Sequence, residues 1–430
     1  MEKSLNATKN ERIQILKTEA IRKGLYRDES VSNLIRILEI QNTVDGTIDP
    51  VIYQALTYKI KNNDNYVKPL IPLGFDEEGY PIGIENTAAL AKHCIIASST
   101  GRGKTNSIYY ILPSLAKNNI RYLLLDSSEK TPHEFSGFYG LLKQNPEYSM
   151  YADKLVYLNL HTPSLLNPLI APKGYDIQEW MLLAGETFKV AHSMRYSMAP
   201  FLECYRMLYK ITQYPSPIKL KNLVEKKMSE TSKFSKIHDY LETVYTALCL
   251  VPEYYYKSLN CMIGLLPKLI DENYSIIIQT SMLNSSTLFL IQLMVLWIAV
   301  FLSVKEHKEP FAIVIDEAQY MFAKQDEPST IARLMTEMLR KNGIGLVIGA
   351  QTPSMIDQSI LNNASNILFL GFNSAKEIEL LLDNMSITNP HLRSIGYSVQ
   401  VGSGLFKAPD FEAQYIQLPR VQIPYTTYKE

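Results

Sequence analysis

A lysine, two adjacent carboxylates and a glutamine are the residues of this 430-residue chain best suited to act on a phosphate. Lys104 closes the stretch His93-Cys-Ile-Ile-Ala-Ser98-Ser-Thr-Gly101-Arg-Gly103-Lys104-Thr105, where an apolar strand runs into a glycine-rich turn. Small residues let backbone N–H groups curl around phosphates, the lysine reaches their outer oxygens, and the Thr105 hydroxyl holds Mg²⁺. A helix beginning there aims its positive end at the same anion. Nucleotide contacts are therefore expected from Ser98, Ser99, Thr100, Gly101, Arg102, Gly103, Lys104, Thr105 and Asn106. Ser98 stands where the G-x-x-x-x-G-K-[ST] pattern has its first glycine, and it is small enough to keep the turn.

Two later segments supply what hydrolysis needs. Phe311-Ala-Ile-Val-Ile-Asp316-Glu317-Ala-Gln319 is an apolar run ending in paired acids, the form of a buried strand delivering carboxylates to the edge of a sheet. Asp316 is expected to hold Mg²⁺ through water, and Glu317 to orient and deprotonate the attacking water. Ile344-Gly-Leu-Val-Ile-Gly-Ala-Gln351 is a second such strand, with Gln351 placed to sense the γ-phosphate. Each segment alone reads equally well as a strand ending in a polar residue. Their order and chemistry together point to a nucleotide-hydrolysing site.

Ser-Ser-Thr-Gly-Arg-Gly-Lys-Thr-Asn, Asp-Glu-Ala-Gln, and Leu339-Arg340-Lys341-Asn-Gly343 followed by Gln351-Thr-Pro353-Ser354 resemble the HerA/FtsK superfamily of DNA-pumping P-loop ATPases. Asn167-Pro168-Leu169 is similar to a turn that recurs in HerA-like and conjugative ATPases, and the resemblance covers about residues 68 to 420. It implies ATP and Mg²⁺ as cofactors and a RecA-like α/β core. It also implies an arginine finger inserted from a neighbouring subunit, with Arg340 at the matching position. Arg102 departs from the usual serine, and either adds a phosphate contact or points to solvent.

Composition bounds the rest. Lys plus Arg equals Asp plus Glu at 43 each, so no broad basic field exists and DNA contact must be local, as in a ring whose subunits each offer a few residues. The cysteines at 94, 204, 249 and 261 have no zinc-ligand spacing and suit a reducing, cytoplasmic setting as buried apolar residues. The polar amino terminus carries no signal peptide. Leu288–Val304 is free of charge but short for a bilayer, contains Gln292, and lies between two expected strands, so it reads as a buried crossover helix and no membrane anchor is expected.

Apolar strands are expected at 120–125, 155–160, 275–280, 311–315, 344–349 and 367–370, separated by helices, which argues a mostly parallel sheet covered on both faces. The expected organisation is an N-terminal helical region over 1–66, a first part of the ATPase core over 67–175, a helical insertion over 176–272, and a second part over 273–430. A hairpin is expected over 70–84, and Pro113 should kink or end the helix after Thr105. Lys219, Lys221, Lys226 and Lys227 form a local basic cluster, and Tyr254-Tyr255-Tyr256 is a packing or stacking surface. His93 reads as structural, and Asp126 as a site contact or a helix cap.

The leading expectation is an ATPase forming a homo-oligomeric ring, a hexamer by family analogy, that translocates double-stranded DNA beside a partner nuclease or other effector. The alternatives are a nucleotide-gated scaffold for an antiviral defence effector, or a soluble conjugation or secretion ATPase. A two-lobed helicase also carries Asp-Glu-Ala-Gln, but too little chain follows Glu317 for a second motor lobe.

Overall fold

The structure, a computed structural model, describes residues 9–23, 25, 29–61, 68–77, 79–126, 154–160, 162, 164–192, 196–251, 264–280, 285–305, 309–324, 330–409 and 412–419. The chain divides into two units, Met1–Glu85 and Asn86–Glu430. In the first, apolar residues recur at helical spacing and form α1 (Lys9–Arg22), α2 (Glu29–Asp45) and α3 (Pro50–Lys61). Ile13, Leu16, Ala20, Ile35, Leu38, Leu56 and Ile60 meet in their common core. The expected hairpin follows as β1 (Ile71–Phe75) and β2 (Pro81–Ile84), paired antiparallel.

In the second unit the uninterrupted apolar runs become buried strands. After the short α4 (Thr87–Leu90) come β3 (Cys94–Ala97), α5 (Lys104–Lys117), β4 (Arg121–Asp126) and β5 (Leu155–Asn159). Helices α6 (Ile177–His192), α7 (Met198–Ile211), α8 (Pro217–Glu230), α9 (Lys236–Cys249) and α10 (Leu265–Asp271) lead to β6 (Ser275–Gln279). Then follow α11 (Ser285–Val304), β7 (Phe311–Ile315), α12 (Ala318–Met321), α13 (Thr330–Lys341), β8 (Ile344–Ala350), α14 (Gln358–Asn363) and β9 (Asn366–Phe369). The described chain closes with α15 (Ala375–Asn384), α16 (Pro390–Ser398), β10 (Ser403–Lys407) and β11 (Gln414–Gln417).

The strands of this unit lie in the order β11-β10-β9-β3-β8-β7-β4-β6-β5. Pairing is parallel from β9 to β5 and antiparallel where β10 joins β9 and β11. Every residue of β6, β7 and β8 is buried, which is why these segments carry no polar alternation. The charge-free segment forms α11, in which Phe289 to Val300 are buried apart from half-buried Gln292, so it is a core helix apolar on all sides. Among the described residues no helix is long and apolar enough to cross a membrane.

Of the kink or end expected at Pro113, the end does not occur: α5 runs through Pro113 to Lys117. Proline removes one helical hydrogen bond, but Ile111, Leu112, Leu115 and Pro113 itself are buried, and that packing carries the helix past the defect. Cys94 and Cys204 are buried free thiols, pushed up to about 12 and about 11 by burial, and act as small apolar residues, whereas Cys249, expected to be buried like them, is exposed at the end of α9. Cys261 and Tyr254-Tyr255-Tyr256 lie outside the described residues.

Candidate functional site

Strand order brings the expected residues together. β8 lies between β3 and β7, all three parallel, with Ala97 opposite Ala350 and Ile315 opposite Ile348. Ser98, Gln351 and Asp316 therefore leave the sheet at one carboxyl edge, where such folds place their ligands.

The turn from Ser98 to Gly103 is shaped by backbone, not side chains. Gly101 and Gly103 have φ of 80° and 109°, a left-handed region that costs a glycine little. Gly103 provides no side-chain cap to α5, so the first-turn N–H groups of this helix are left for an anion. Ser98 N donates to Ala350 O at 3.1 Å and Ser99 N to Gly371 O at 3.1 Å, which pins the loop to the sheet edge. The buried Ser98 and Ser99 hydroxyls have no hydrogen-bond partner among the described residues. Such orphaned donors beside an uncapped helix end fit a phosphate-bearing ligand. Not every loop side chain faces that space. Arg102 donates to Val399 O at 2.8 Å and Asn373 Oδ1 at 3.1 Å, and Asn106 Nδ2 donates to Pro419 O at 2.9 Å.

Lys104 Nζ stands 2.6 Å from Asp316 Oδ1 and also bonds Glu317, with Lys104 and Asp316 both buried. Burial raises the Asp316 carboxyl above its ordinary range, and Lys104 opposes that shift. Glu317 is held in a left-handed conformation, φ 56° and ψ 47°, unusual for a residue with a side chain. Its N–H donates to Asp316 Oδ1 at 3.0 Å, while its carboxylate accepts from Gln319 Nε2 at 2.5 Å and from Gln351 Nε2. Gln351 reaches back to the loop, where its Oε1 accepts from Thr100 Oγ1 at 2.9 Å. Gly349 makes room beneath, since a Cβ there would lie 2.8 Å from Asp316 Oδ1 and 3.2 Å from Lys104 Cδ. The Thr105 hydroxyl and the Asp316 carboxylate are oxygen donors, the ligand type that suits Mg²⁺.

Arg340 is elsewhere. It is exposed in the last turn of α13, just before β8, while Gln351 lies past the other end of that strand. Seven strand residues span roughly 23 Å, so Arg340 sits at the opposite edge of the sheet from Lys104. His93 occupies that same edge. Leu346 N donates to His93 Nδ1 at 3.2 Å, which leaves the proton on Nε2 to bond Thr336 O at 2.9 Å, one turn before Arg340. His93 is thus neutral and structural, with its pKa lowered to about 4 chiefly by burial.

Other sequence signals resolve into packing. Asn167 Nδ2 donates to Pro215 O at 2.7 Å, and Trp180 Nε1 and Tyr209 OH donate to Pro168 O and Leu169 O at 3.1 and 2.8 Å, so the Asn-Pro turn anchors α6 and α7. In the lysine cluster, Lys227 pairs with Glu203, Lys226 approaches Glu230 at 3.9 Å, and Lys219 Nζ donates to Tyr214 O at 3.0 Å. Asp126 ends β4 buried, its carbonyl accepting from Thr280 N at 2.8 Å. Sequence reasoning passed over Gln319, although it belongs to the acidic motif, and Gly349, whose only signal is a glycine inside an apolar strand.

The sheet, the phosphate loop and the acidic pair define a RecA-like P-loop fold. The family described as helicase HerA, central domain, matches residues 71–295, more than half of the chain, and the chain belongs to it. Two solved structures share the fold. VirB4 of Thermoanaerobacter pseudethanolicus is 16% identical with a TM-score of 0.59, covering 82% of this chain and 96% of that one. The plasmid coupling protein TrwB in complex with ADP and Mg²⁺ is 16% identical with a TM-score of 0.58, covering 81% and 90%. No curated protein matches the chain.

Proposed function

We propose that this chain hydrolyses ATP with Mg²⁺ and does so in a homo-oligomeric ring, a hexamer by family analogy, that binds and translocates double-stranded DNA. The observation that carries the reading is the convergence of Lys104, Asp316, Glu317 and Gln351 on a left-handed, uncapped phosphate loop. TrwB, which shares the fold, holds ADP and Mg²⁺ in its solved structure.

The chemistry follows from the residues in place. Loop N–H groups bind the phosphates, and Lys104 exchanges its carboxylate partners for outer phosphate oxygens. Thr105 and Asp316 hold the metal ion, which when bound neutralises charge on the phosphates. Glu317 accepts the proton of the attacking water, and Gln351 orients the Glu317 carboxylate that it already bonds. Arg340 lies at the far edge of the sheet from its own site, and the family resemblance assigns it to the site of a neighbouring subunit.

A second reading, a nucleotide-gated scaffold for a nuclease or other effector, is favoured by one observation. Lys219, Lys226 and Lys227 each have an acceptor within the chain, and for Lys226 and Lys227 it is a glutamate that offsets the charge locally. Duplex binding and ATPase stimulation by the assembled ring separate the two readings. A motor neutralising roughly six or more phosphates loses affinity steeply between about 50 and 200 mM salt, with little sequence preference. Normal ATP turnover with no duplex binding or stimulation, at any salt or with the partner present, leaves the scaffold.

A further inference from the structure

The family pattern has a small residue where this chain has Arg102, and the surroundings of Arg102 are built for a guanidinium. Nη1 donates to Val399 O at 2.8 Å, at the end of α16, and Nη2 to Asn373 Oδ1 at 3.1 Å, in the turn after β9. That turn also holds Gly371, whose φ of 93° favours glycine and whose Cβ would fall 2.9 Å from Nη1 and 3.3 Å from Val399 Cβ. The Gly371 carbonyl meanwhile accepts from Ser99 N at 3.1 Å. The phosphate loop is therefore tied at Ser99 and Arg102 to one turn, and that turn has left space for the arginine head.

The same helical pair reaches the opposite wall of the site. Arg393 of α16 bonds Asp383 at 3.0 Å and also Glu379, both on α15, and Tyr397 adds a bond to Glu379. Buried Glu377 of α15 accepts from Ser354 N at 2.9 Å and from the Ser354 hydroxyl, three residues past Gln351. Thr100 and Gln351 close the gap between the walls at 2.9 Å.

We propose that Arg102 is a positioning residue: it clamps the phosphate loop to the Gly371–Asn373 turn and to α16, so that α15 and α16 hold the loop and the Gln351 segment at a set separation. A forked, planar guanidinium bridges two acceptors on different segments, whereas an ammonium serves as a point charge. The inference rests on the reading of this site as a nucleotide site, and adds that the loop is shaped before the nucleotide arrives.

Two measurements on the full chain test it. Hydrogen exchange across residues 99–103 in nucleotide-free protein reads the clamp directly. Arg102→Ser and Arg102→Lys should both speed exchange there, and unchanged exchange overturns the clamp whether or not nucleotide binds. Affinity for a fluorescent ATP analogue and the KM for ATP read its consequence. Arg102→Ser should weaken binding about tenfold, Arg102→Lys by nearly as much, and Asn373→Ala by about threefold, with the KM effect exceeding any change in kcat. Adding Asn373→Ala to Arg102→Ser should cost nothing further, because both remove one interaction. Affinity restored by Arg102→Lys would assign Arg102 to direct phosphate contact, and full additivity of the pair would also overturn the clamp. A wild-type protein that binds no nucleotide refutes the proposed function and leaves the exchange result to decide the clamp.

Discussion

Lys104 Nζ lies 2.6 Å from Asp316 Oδ1 across 212 positions of sequence, and both groups are buried. A buried ammonium held between two carboxylates is poised for exchange. In the proposed reaction an incoming phosphate would give the lysine a stronger acceptor set and free the acids for a metal ion and a water.

Lys104→Ala is expected to abolish hydrolysis and weaken nucleotide binding, while Glu317→Gln binds nucleotide and turns it over about 10² to 10⁴ times more slowly. Rapid-quench and filter-binding assays on the purified variants measure both effects. Near-normal turnover by Glu317→Gln removes that residue from the base role.

The distance of Arg340 from its own phosphate loop sets up a complementation experiment. Lys104→Ala subunits keep their arginine and Arg340→Ala subunits keep their loop, so each is inactive alone and mixed rings regain activity at some interfaces. Verified mixed rings that recover nothing would count against Arg340 acting between subunits.

Gly349→Ala places a methyl 2.8 Å from Asp316 Oδ1 and 3.2 Å from Lys104 Cδ, in a strand that is buried throughout. The pair must shift, and overpacking of this kind costs about 1 to 3 kcal/mol of stability. Nucleotide affinity should fall with it. Denaturant midpoints and nucleotide titrations check the two effects, and a variant equal to wild type in both would refute the tight packing under the acidic pair.

Acid should unlock the opposite edge of the sheet. His93 titrates near 6.5 when unfolded and at about 4 when buried, so between these values the unfolded chain binds more protons and stability rises with pH. The contribution is complete above pH 6.5 and is lost as pH falls towards 4, amounting to about 2 to 3 kcal/mol by pH 4.5. His93 has φ of 61°, a conformation that asparagine tolerates, so His93→Asn removes the titration without forcing the backbone. Urea melts at pH 7 and 4.5 should show a smaller loss in this variant, with residual dependence from His192, also lowered to about 4 by burial. An unchanged loss would show that His93 does not carry the acid sensitivity.

Strand and loop chemistry was local, and therefore legible in the chain. Apolar runs marked all seven strands from β3 to β9, and those buried throughout, such as β6, β7 and β8, show no polar alternation because both faces are covered. The glycine-rich turn and the Asp316-Glu317 pair showed their chemistry at fixed short spacings. The antiparallel β10 and β11 gave no comparable run, and α5 does not end at Pro113 because the local cost of the proline is outweighed by packing. Tertiary structure alone decided which tips meet. Insertion of β8 between β3 and β7 set Gln351 between the loop and Glu317, and the pairing of β3 with β9 on its other side brought Arg102 beside Asn373 and Val399. Those relationships depend on strand order and on contacts across hundreds of residues, for which no local spacing in a sequence carries a signal.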